Sequence, residues 1–226
     1  MDYCCFMSDL TSRQVAAVAE ATATVPTENF AVYGGGWPNE ISTALVDAVF
    51  SIQAQYRSDT PGKGVFNRLQ AFRCEYKSAV DDLTLLVEVG EAAIEAVMGN
   101  AKTSSRSKAS AVIEAASNFL DIGVRTAEDF RAKNSGELKN AYVPVKGLGW
   151  ITFEYLSMLL GQPGVKADTM ICRFVNVALQ QQGLDAVDGA TARQLIALTH
   201  EQTGLGETLS HFDHGIWLFE SDRASV

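Results

Sequence analysis

The stretch that decides the fold is Val143–Phe174, VPVKGLGWITFEYLSMLLGQPGVKADTMICRF. Two glycines one residue apart, Gly147 and Gly149, separate a short helical pattern that ends near Tyr142 from an apolar helical pattern that begins at Trp150. Glycine permits a positive φ and lets the backbone approach a ligand closely, and a helix N-terminus offers unpaired N–H groups with a partial positive charge. The turn is therefore suited to contact a phosphate, although a Gly-Leu-Gly sequence often only turns a corner.

The rest of the chain is also helical in its hydrophobic periodicity. The clearest apolar stripe has spacings of four, four and three residues, which is typical of one helix face, and consists of Ile41, Leu45, Val49 and Ile52. No turn dipeptide of the Asn-Gly or Asp-Gly type lies between β-rich runs, so no β-hairpin is predicted. We expect an all-α protein.

Local signals place several boundaries of these helices. Thr126 with Asp129 three residues later predicts a capping box at a helix start, and Gly90 separates two short helical patterns. The glycines of the range 34–36 predict a loop in which the backbone passes close to another segment.

The composition is that of a globular protein with an acidic surface. Of its 226 residues 47% are hydrophobic and 20% are charged, and the net charge is −9. This charge argues against a general nucleic-acid binder, because phosphate contact needs local positive charge. The range 101–148 has eight Lys and Arg against five Asp and Glu, a net of +3, which leaves −12 for the remainder. The pattern indicates either a small DNA footprint or a solvated face without function.

Membrane and metal roles find no support in the sequence. No apolar run approaches the roughly 20 residues that span a bilayer, and the N-terminal range Met1–Leu10 has two acids and no basic residue, unlike a signal peptide. The four cysteines form no CxxC pair, so neither a zinc site nor a disulfide framework is predicted. We expect a cytoplasmic, nucleoid-associated protein with no metal and no membrane partner.

Four segments, in this order along the chain, resemble the helix-hairpin-helix DNA glycosylase superfamily (HhH-GPD). Ser51–Ala54 is similar to the family's S-x-Q segment, and Ser107–Ala109 resembles its S-K-A element. Val145–Phe153 matches the hairpin pattern L-P-G-[IV]-G-x-x-T-A, and Lys166–Arg173 matches V-D-[TKR]-x-x-x-R at the start of a further helix. The tail Phe212–Trp217 looks like the closing helix of some members.

The sequence departs from the family pattern at several points. Lys146 stands in the place of the hairpin proline, and Phe153 replaces the alanine after the threonine. Ile151 occupies the position of the lysine that bifunctional members use. The cysteines that hold an iron–sulfur cluster in many members are missing, which assigns the chain to a subgroup without a cluster.

The resemblance implies two helical lobes with an active-site cleft between them. By the placement of the motifs, residues 1–50 and 149–226 would form a discontinuous lobe that carries the aspartate, and residues 51–148 would form a central lobe that leads into the hairpin. The resemblance also allows a monovalent cation at the hairpin, and no other cofactor. A monomer acting on double-stranded DNA is expected.

Asp168 is the candidate catalytic residue by its motif position. Breaking an N-glycosidic bond develops positive charge on the sugar, and a carboxylate facing C1′ stabilises that charge and assists water attack. Aspartate is also a favoured helix N-cap, and the two roles can coexist. The expected function is a monofunctional DNA glycosylase that removes a flipped, damaged or modified base from duplex DNA. A silent helix-hairpin-helix DNA-binding module, a bifunctional glycosylase/lyase using Lys146, and a helical protein-interaction domain are the alternatives.

The remaining site predictions follow from the same motifs. The predicted contacts to the DNA backbone are Lys146, Gly147, Leu148, Gly149, Trp150, Lys108 and Arg106. The resemblance implies that a residue fills the gap left by the flipped base, and Gln53 matches that position, although it also suits a solvated helix end. A flipped base needs a stacking wall, and the aromatic candidates, which could equally be core residues, are Tyr33, Trp37, Tyr56 and Trp150.

Overall fold

The computed structural model of this chain describes residues 3–31, 33 and 35–223, with side chains from residue 10 onward. Residues 1, 2, 32, 34 and 224–226 lie outside the description, and with them Gly34 of the predicted glycine loop. The helices are α1 (Tyr3–Thr22), α2 (Ile41–Phe50), α3 (Val65–Glu75), α4 (Leu83–Met98), α5 (Lys108–Asp121), α6 (Ala127–Ala132), α7 (Ser135–Tyr142), α8 (Trp150–Leu159), α9 (Thr169–Gln181), α10 (Gly189–Thr203) and α11 (Leu209–Arg223). Two 3₁₀ segments, Thr27–Ala31 and Lys77–Ala79, complete the helical part. The prediction of an all-α fold is confirmed.

The chain divides into two compact units. Unit 1 consists of residues 1–34 and 163–226, and unit 2 of residues 35–162. The predicted division also gave a discontinuous terminal lobe and a central lobe, but with boundaries at 50/51 and 148/149. The difference arises because α2 and α8 pack against each other and against the central helices, so both belong to unit 2.

Unit 2 is built around α2, a helix whose ten residues are all buried. Ile41, Leu45 and Val49 of the predicted stripe are fully buried, and Ile52 packs against the same core from beyond the end of the helix. Helices α3, α4, α5 and α8 contact α2. A helix surrounded in this way is apolar on every face, which makes its one acid, Asp47, conspicuous.

The local signals in unit 2 are confirmed. Gly90 interrupts α4 with φ +79° and ψ 166°, so the two predicted helices meet at a kink. Thr126 and Asp129 form the predicted capping box at the start of α6. The structure adds one small feature that the sequence did not predict, an antiparallel ladder between β1 (Lys102–Thr103) and β2 (Arg106–Ser107).

Unit 1 packs α1, α9, α10 and α11 together with the first 3₁₀ segment. Phe30 of that segment stacks on Phe212 of α11, with ring centroids 5.4 Å apart. Arg173 of α9 donates through Nε to Oε2 of the buried Glu220 of α11 at 2.5 Å. The arginine of the matched V-D-[TKR]-x-x-x-R pattern thus ties the helix that follows Asp168 to the last helix of the chain.

Gly36 offers a test of the close backbone approach in the glycine loop. Its φ is +63°, and a Cβ there would lie 2.6 Å from both the Cα and the carbonyl oxygen of Leu159. The N–H of Trp37 donates to that same oxygen. Replacing Gly36 with alanine should lower the free energy of unfolding by roughly 3 kcal/mol, about 1 for the left-handed backbone and about 2 for the overpacking.

Gly35 is the matched control for this substitution. It also has a positive φ, +72°, but nothing lies within 4 Å of the position that a Cβ would take there. Gly35→Ala should therefore lower the free energy of unfolding by only about 1 kcal/mol. Urea unfolding followed by circular dichroism measures both variants, and equal losses would contradict the close approach.

Candidate active site

Asp168 is the N-cap of α9. Its Oδ1 accepts hydrogen bonds from the N–H groups of Met170 at 2.9 Å and Ile171 at 3.3 Å. Its Oδ2 lies 3.9 Å from Nζ of Lys166, and the Asp168 side chain is 23% exposed. The capping role is therefore present. It uses one carboxylate oxygen and fixes the orientation of the other, which a reacting sugar could approach.

The predicted hairpin in unit 2 is a tight turn between α7 and α8. Gly147 has φ +93°, and a Cβ on it would meet Cγ2 of Thr103 at 2.7 Å. The hydroxyl of Thr103 donates to the Gly147 carbonyl at 3.0 Å, so β1 rests directly on the turn. Leu148 is 8% exposed and belongs to the core. Only glycine fits at Gly147, and Leu148 serves as the anchor of the turn.

The backbone of Gly149, at the end of the hairpin, is bound by Thr152 of α8, and no side chain among the described residues caps the N-terminus of this helix. The N–H of Gly149 donates to the hydroxyl of Thr152 at 3.0 Å, and that hydroxyl donates back to the Gly149 carbonyl at 2.8 Å. The carbonyls of Val145 and Gly147 also accept internal hydrogen bonds. A monovalent cation at the hairpin would have to bind carbonyl oxygens that already accept hydrogen bonds. The cation site stays a prediction.

Two exposed lysines lie beside this turn. Nζ of Lys146 is 3.5 Å from Oγ of Ser105, at the tip of the two-stranded ladder. Lys102 is exposed on β1, next to the Thr103 that contacts Gly147. The tip needs positive φ at both Ser104 and Ser105, +48° and +69°. Lys102, which the motifs did not indicate, is therefore a second exposed lysine, on the ladder that contacts the hairpin through Thr103.

The side chains of Lys108 and Arg106 both bind other groups of the protein. Lys108 is 2% exposed, and its ammonium donates to the carbonyl of Phe50 at 3.0 Å and to that of Ile52. Arg106 pairs with Glu114 at 2.6 Å. The prediction that Lys108 contacts phosphate does not fit this burial, because its donors are turned towards the end of α2.

Gln53 lies where α2 ends. Its side chain is exposed and its backbone has φ +48°, a conformation that non-glycine residues seldom adopt. The ammonium of Lys108 binds the carbonyls of Phe50 and Ile52 immediately before it. The buried Lys108 therefore fixes the turn that carries Gln53. That Gln53 fills the gap left by a flipped base stays a prediction.

Asp47 brings two of the predicted aromatic residues together. This fully buried carboxylate accepts from Nε1 of Trp37 at 2.7 Å and from the hydroxyl of Tyr56 at 2.9 Å, both at Oδ2. Its Oδ1 accepts from Oγ of Ser51 at 2.8 Å. A buried charge is stable only when donors surround it, so this cluster holds the two aromatic rings in fixed positions.

Electrostatics keep the Tyr56 hydroxyl a donor. Burial, and then the neighbouring Asp47 carboxylate, raise the pKa of Tyr56 far above its ordinary value. Ionised tyrosine would place a second negative charge beside Asp47, so the phenol retains its proton and donates at neutral pH.

Phe66 completes the aromatic group of unit 2. Its ring centroid is 6.5 Å from that of Trp37 and 6.1 Å from that of Tyr56. The guanidinium of Arg73 lies 4.6 Å from the Trp37 ring centroid and is bound to Glu40 at 2.5 Å. The three rings, which we call the aromatic cluster, are all half-buried. Half-buried rings of this kind could stack against a base.

The other two predicted aromatic residues have different surroundings. Tyr33 belongs to unit 1, where its ring centroid lies 5.4 Å from that of His211 and 5.6 Å from that of His214. Trp150 is half-buried at the first position of α8 and belongs to the hairpin. The structure therefore joins Trp37 with Tyr56, and places Tyr33 in a cluster with histidines.

Sequence patterns did not identify the buried acids Asp47, Asp213 and Glu220. Asp47 stands in the mostly apolar stretch ISTALVDAVF, and Asp213 lies between the apolar residues Phe212 and Ile216 of α11. An acid on an apolar helix face was the available signal, because such a residue is buried only when it has partners. Its partners come from distant segments, which periodicity alone does not identify.

No helix among the described residues is long and apolar enough to cross a membrane. Among the same residues, no three His, Cys, Asp or Glu side chains are grouped so that they could hold a metal ion.

Comparison with known proteins identifies the family. Residues 14–221 match a domain of unknown function, DUF8548. The chain belongs to this family. No curated protein sequence matches the DUF8548 chain. Among solved structures it is similar to a thermostable thymine-DNA glycosylase, with 14% sequence identity and a TM-score of 0.51 over 95% of this chain and 87% of that one. At this identity the likeness is one of fold, a helical DNA glycosylase fold.

Asp47 gives a prediction for the aromatic cluster. In Asp47→Asn the NH2 group of the amide would replace one of the two oxygens that now accept hydrogen bonds, and it would face donors. The free energy of unfolding should therefore fall by about 3 kcal/mol. Urea unfolding measures the loss. Asp59→Asn, an exposed acid of the same unit, is the control and should change stability by less than about 0.5 kcal/mol. Equal stability of the two variants would mean that Asp47 does not organise the cluster.

Proposed function

We propose that this protein is a monofunctional DNA glycosylase in which Asp168 assists the attack of water on the sugar of a flipped base. The observation that carries the proposal is the geometry of Asp168, a partly exposed carboxylate with one oxygen bound to the N-terminus of α9 and the other turned towards Lys166. The similarity of the fold to a DNA glycosylase supports it.

In the proposed reaction the Asp168 carboxylate is the main catalytic group of the protein. The C1′–N bond breaks with its electron pair leaving on the base, and positive charge develops on the sugar. The Asp168 carboxylate stabilises that charge and accepts a proton from the water that adds to C1′. The released nucleobase, which left with the electron pair, takes up this proton and departs neutral. The N-terminus of α9 orients the carboxylate through the N–H groups of Met170 and Ile171, and Lys166 lies 3.9 Å from its second oxygen.

The hydrolytic route is preferred to a lyase route because of Ile151. A lyase needs an amine that forms a Schiff base with the sugar, and Ile151 stands where the hairpin lysine of bifunctional members would be. Lys146, the alternative amine, is exposed and lies 3.5 Å from Ser105. It is more suited to meeting a phosphate than to attacking C1′.

DNA would be held by a small surface. The backbone at Gly147 approaches its neighbours closely, and Lys102 and Lys146 are exposed beside it. Gln53 would fill the gap left by the flipped base. The aromatic cluster would offer stacking faces, which bind bases of any sequence.

The substrate class is an altered or mispaired base in duplex DNA. Because the structural neighbour is a thymine-DNA glycosylase, thymine opposite guanine belongs in the test panel beside alkylated purines, uracil and oxidised bases. Each duplex carries a single lesion and is treated with alkali after incubation, so that base loss appears as strand cleavage.

Asp168→Asn tests the proposed catalytic role. Asparagine is as good an N-cap as aspartate, so α9 should remain folded while the charge is lost. We expect base release by this variant to fall by about 10³-fold, as for removal of a group that stabilises transition-state charge. Single-turnover assays on the best substrate of the panel measure the change.

The exposed acid Asp185 of unit 1 provides the matched control. Asp185→Asn should release base at the wild-type rate. Unchanged release by Asp168→Asn would contradict the assignment of the site. A strong covalent adduct of the wild type with DNA, trapped by borohydride, would instead favour the lyase alternative.

The hairpin surface has its own test in the salt dependence of DNA binding. Removing one lysine that pairs with a phosphate reduces the slope of log K against log salt by about 0.9. The double variant Lys102→Ala/Lys146→Ala should therefore bind duplex DNA more weakly and with a slope smaller by about 2. Fluorescence anisotropy at several salt concentrations measures the slope. Lys139→Ala, which removes an exposed lysine of α7, should leave the slope unchanged. If Lys139→Ala lowers the slope as much per lysine, the weaker binding is due to net charge and not to the hairpin surface.

A further inference from the structure

The segment that leads to Asp168 is held by one face of α11. The range 162–168 has no regular secondary structure, so its backbone polar groups need partners from elsewhere. The N–H of Gly164 donates to Oγ of Ser210 at 3.2 Å, in a buried hydrogen bond. The N–H of Lys166 donates to the carboxyl group of Asp213. Ser210 and Asp213 are three residues apart and therefore lie on the same face of the helix.

The anchoring is deep in unit 1. Ser210 is 3% and Asp213 5% exposed, and Val165 and Ala167 of the held segment are buried as well. From Lys166 the chain turns tightly, with the N–H of Asp168 donating to the Lys166 carbonyl at 2.6 Å. The position of Asp168 therefore depends on the residue that Asp213 binds directly.

We propose that Asp213, together with Ser210, is a positioning residue that holds the Lys166–Asp168 segment and thereby places the Asp168 carboxylate for reaction. This inference rests on the proposed function for the role of Asp168. Asp213 is buried and acts through the backbone of Lys166, so it is not itself a catalytic residue.

A second property of Asp213 follows from its surroundings. Burial, and then the nearby Asp168 carboxylate, raise the pKa of Asp213 well above its ordinary value, while Lys166 acts in the opposite direction. Its Oδ1 has no hydrogen-bond partner among the described residues. The Asp168 carboxylate and the unpartnered oxygen both favour the protonated form of Asp213.

Other titratable groups surround α11 and must be accounted for in any pH profile. Glu220 is bound to Arg173 and Arg223. The other titratable and charged groups of these elements are Glu28 on the first 3₁₀ segment, Cys172 on α9, Arg193, His200 and Glu201 on α10, and His211, His214 and Asp222 on α11. Because an activity profile would combine all of these groups, the proton on Asp213 has to be observed directly.

Carbon-13 NMR of the side-chain carboxyl groups tests the pair in the intact protein without DNA. We expect Asp213 to titrate well above the other aspartates, and its pKa to fall in Asp168→Asn, where the neighbouring charge is gone. Asp185→Asn is the control and should leave the titration of Asp213 unchanged. An Asp213 that titrates with the exposed aspartates, or that is indifferent to Asp168→Asn, overturns the coupling whether or not the protein is a glycosylase.

Kinetics test the positioning role. Asp213→Asn keeps a neutral group that can accept from Lys166, so it should release base at nearly the wild-type rate at neutral pH and should lack any decline that follows ionisation of Asp213 in wild type. Asp213→Leu removes the acceptor and should lower the single-turnover rate by about 10²-fold, as a small misplacement of a reacting group does, with the Kd for DNA unchanged.

Ser210→Ala tests the same positioning role if the Asp213→Leu variant does not fold. It removes the other anchor at less risk to folding and should lower the single-turnover rate by about 10-fold, again without change in Kd. If wild type releases no base, the proposed function fails and the NMR result alone decides the coupling of the pair. If wild type is active and both Ser210→Ala and the folded Asp213 variants match it at every pH, the positioning role is wrong.

Discussion

A charge buried inside a fully buried helix is the constraint on which unit 2 depends. Asp47 lies in the middle of α2, where every residue is buried. An ionised carboxylate is stable there only because donors reach it, and two of them, Trp37 and Tyr56, come from the loops on either side of the helix. The paths of both loops are therefore fixed by one side chain, and the aromatic cluster follows from them.

Unit 1 also contains a buried acid that binds an irregular segment. Asp213 lies on the buried face of α11, and it accepts from the N–H of Lys166 in the segment before Asp168. Asp47 is surrounded by side-chain donors, whereas Oδ1 of Asp213 has no partner among the described residues. The first environment favours the charged form of the acid and the second the neutral form. In both units a buried acid fixes an irregular segment that carries candidate functional residues.

The acidic net charge restricts how such a protein could hold DNA. Much of the positive charge of the range 101–148 is engaged internally, since Lys108 binds carbonyls at the end of α2 and Arg106, Arg125 and Lys133 pair with acids. Lys146 on the hairpin and Lys102 on the neighbouring ladder remain exposed, and the backbone of Gly147 lies close to Thr103 of that ladder. Contact would be small and local, and base recognition would depend more on stacking than on attraction to phosphate.

The sequence by itself determined the all-α class, the hairpin turn at Gly147, the kink at Gly90 and the position of Asp168 at the start of α9, because each follows from residues close in sequence: glycines that permit a positive φ, a capping aspartate and a 3.6-residue period. Only the tertiary structure decided that Lys108 is buried, that α2 and α8 belong to unit 2, and which residues Asp47 and Asp213 bind. Those facts depend on contacts between segments tens of residues apart, and side-chain periodicity holds no information about which distant donor a buried charge will meet.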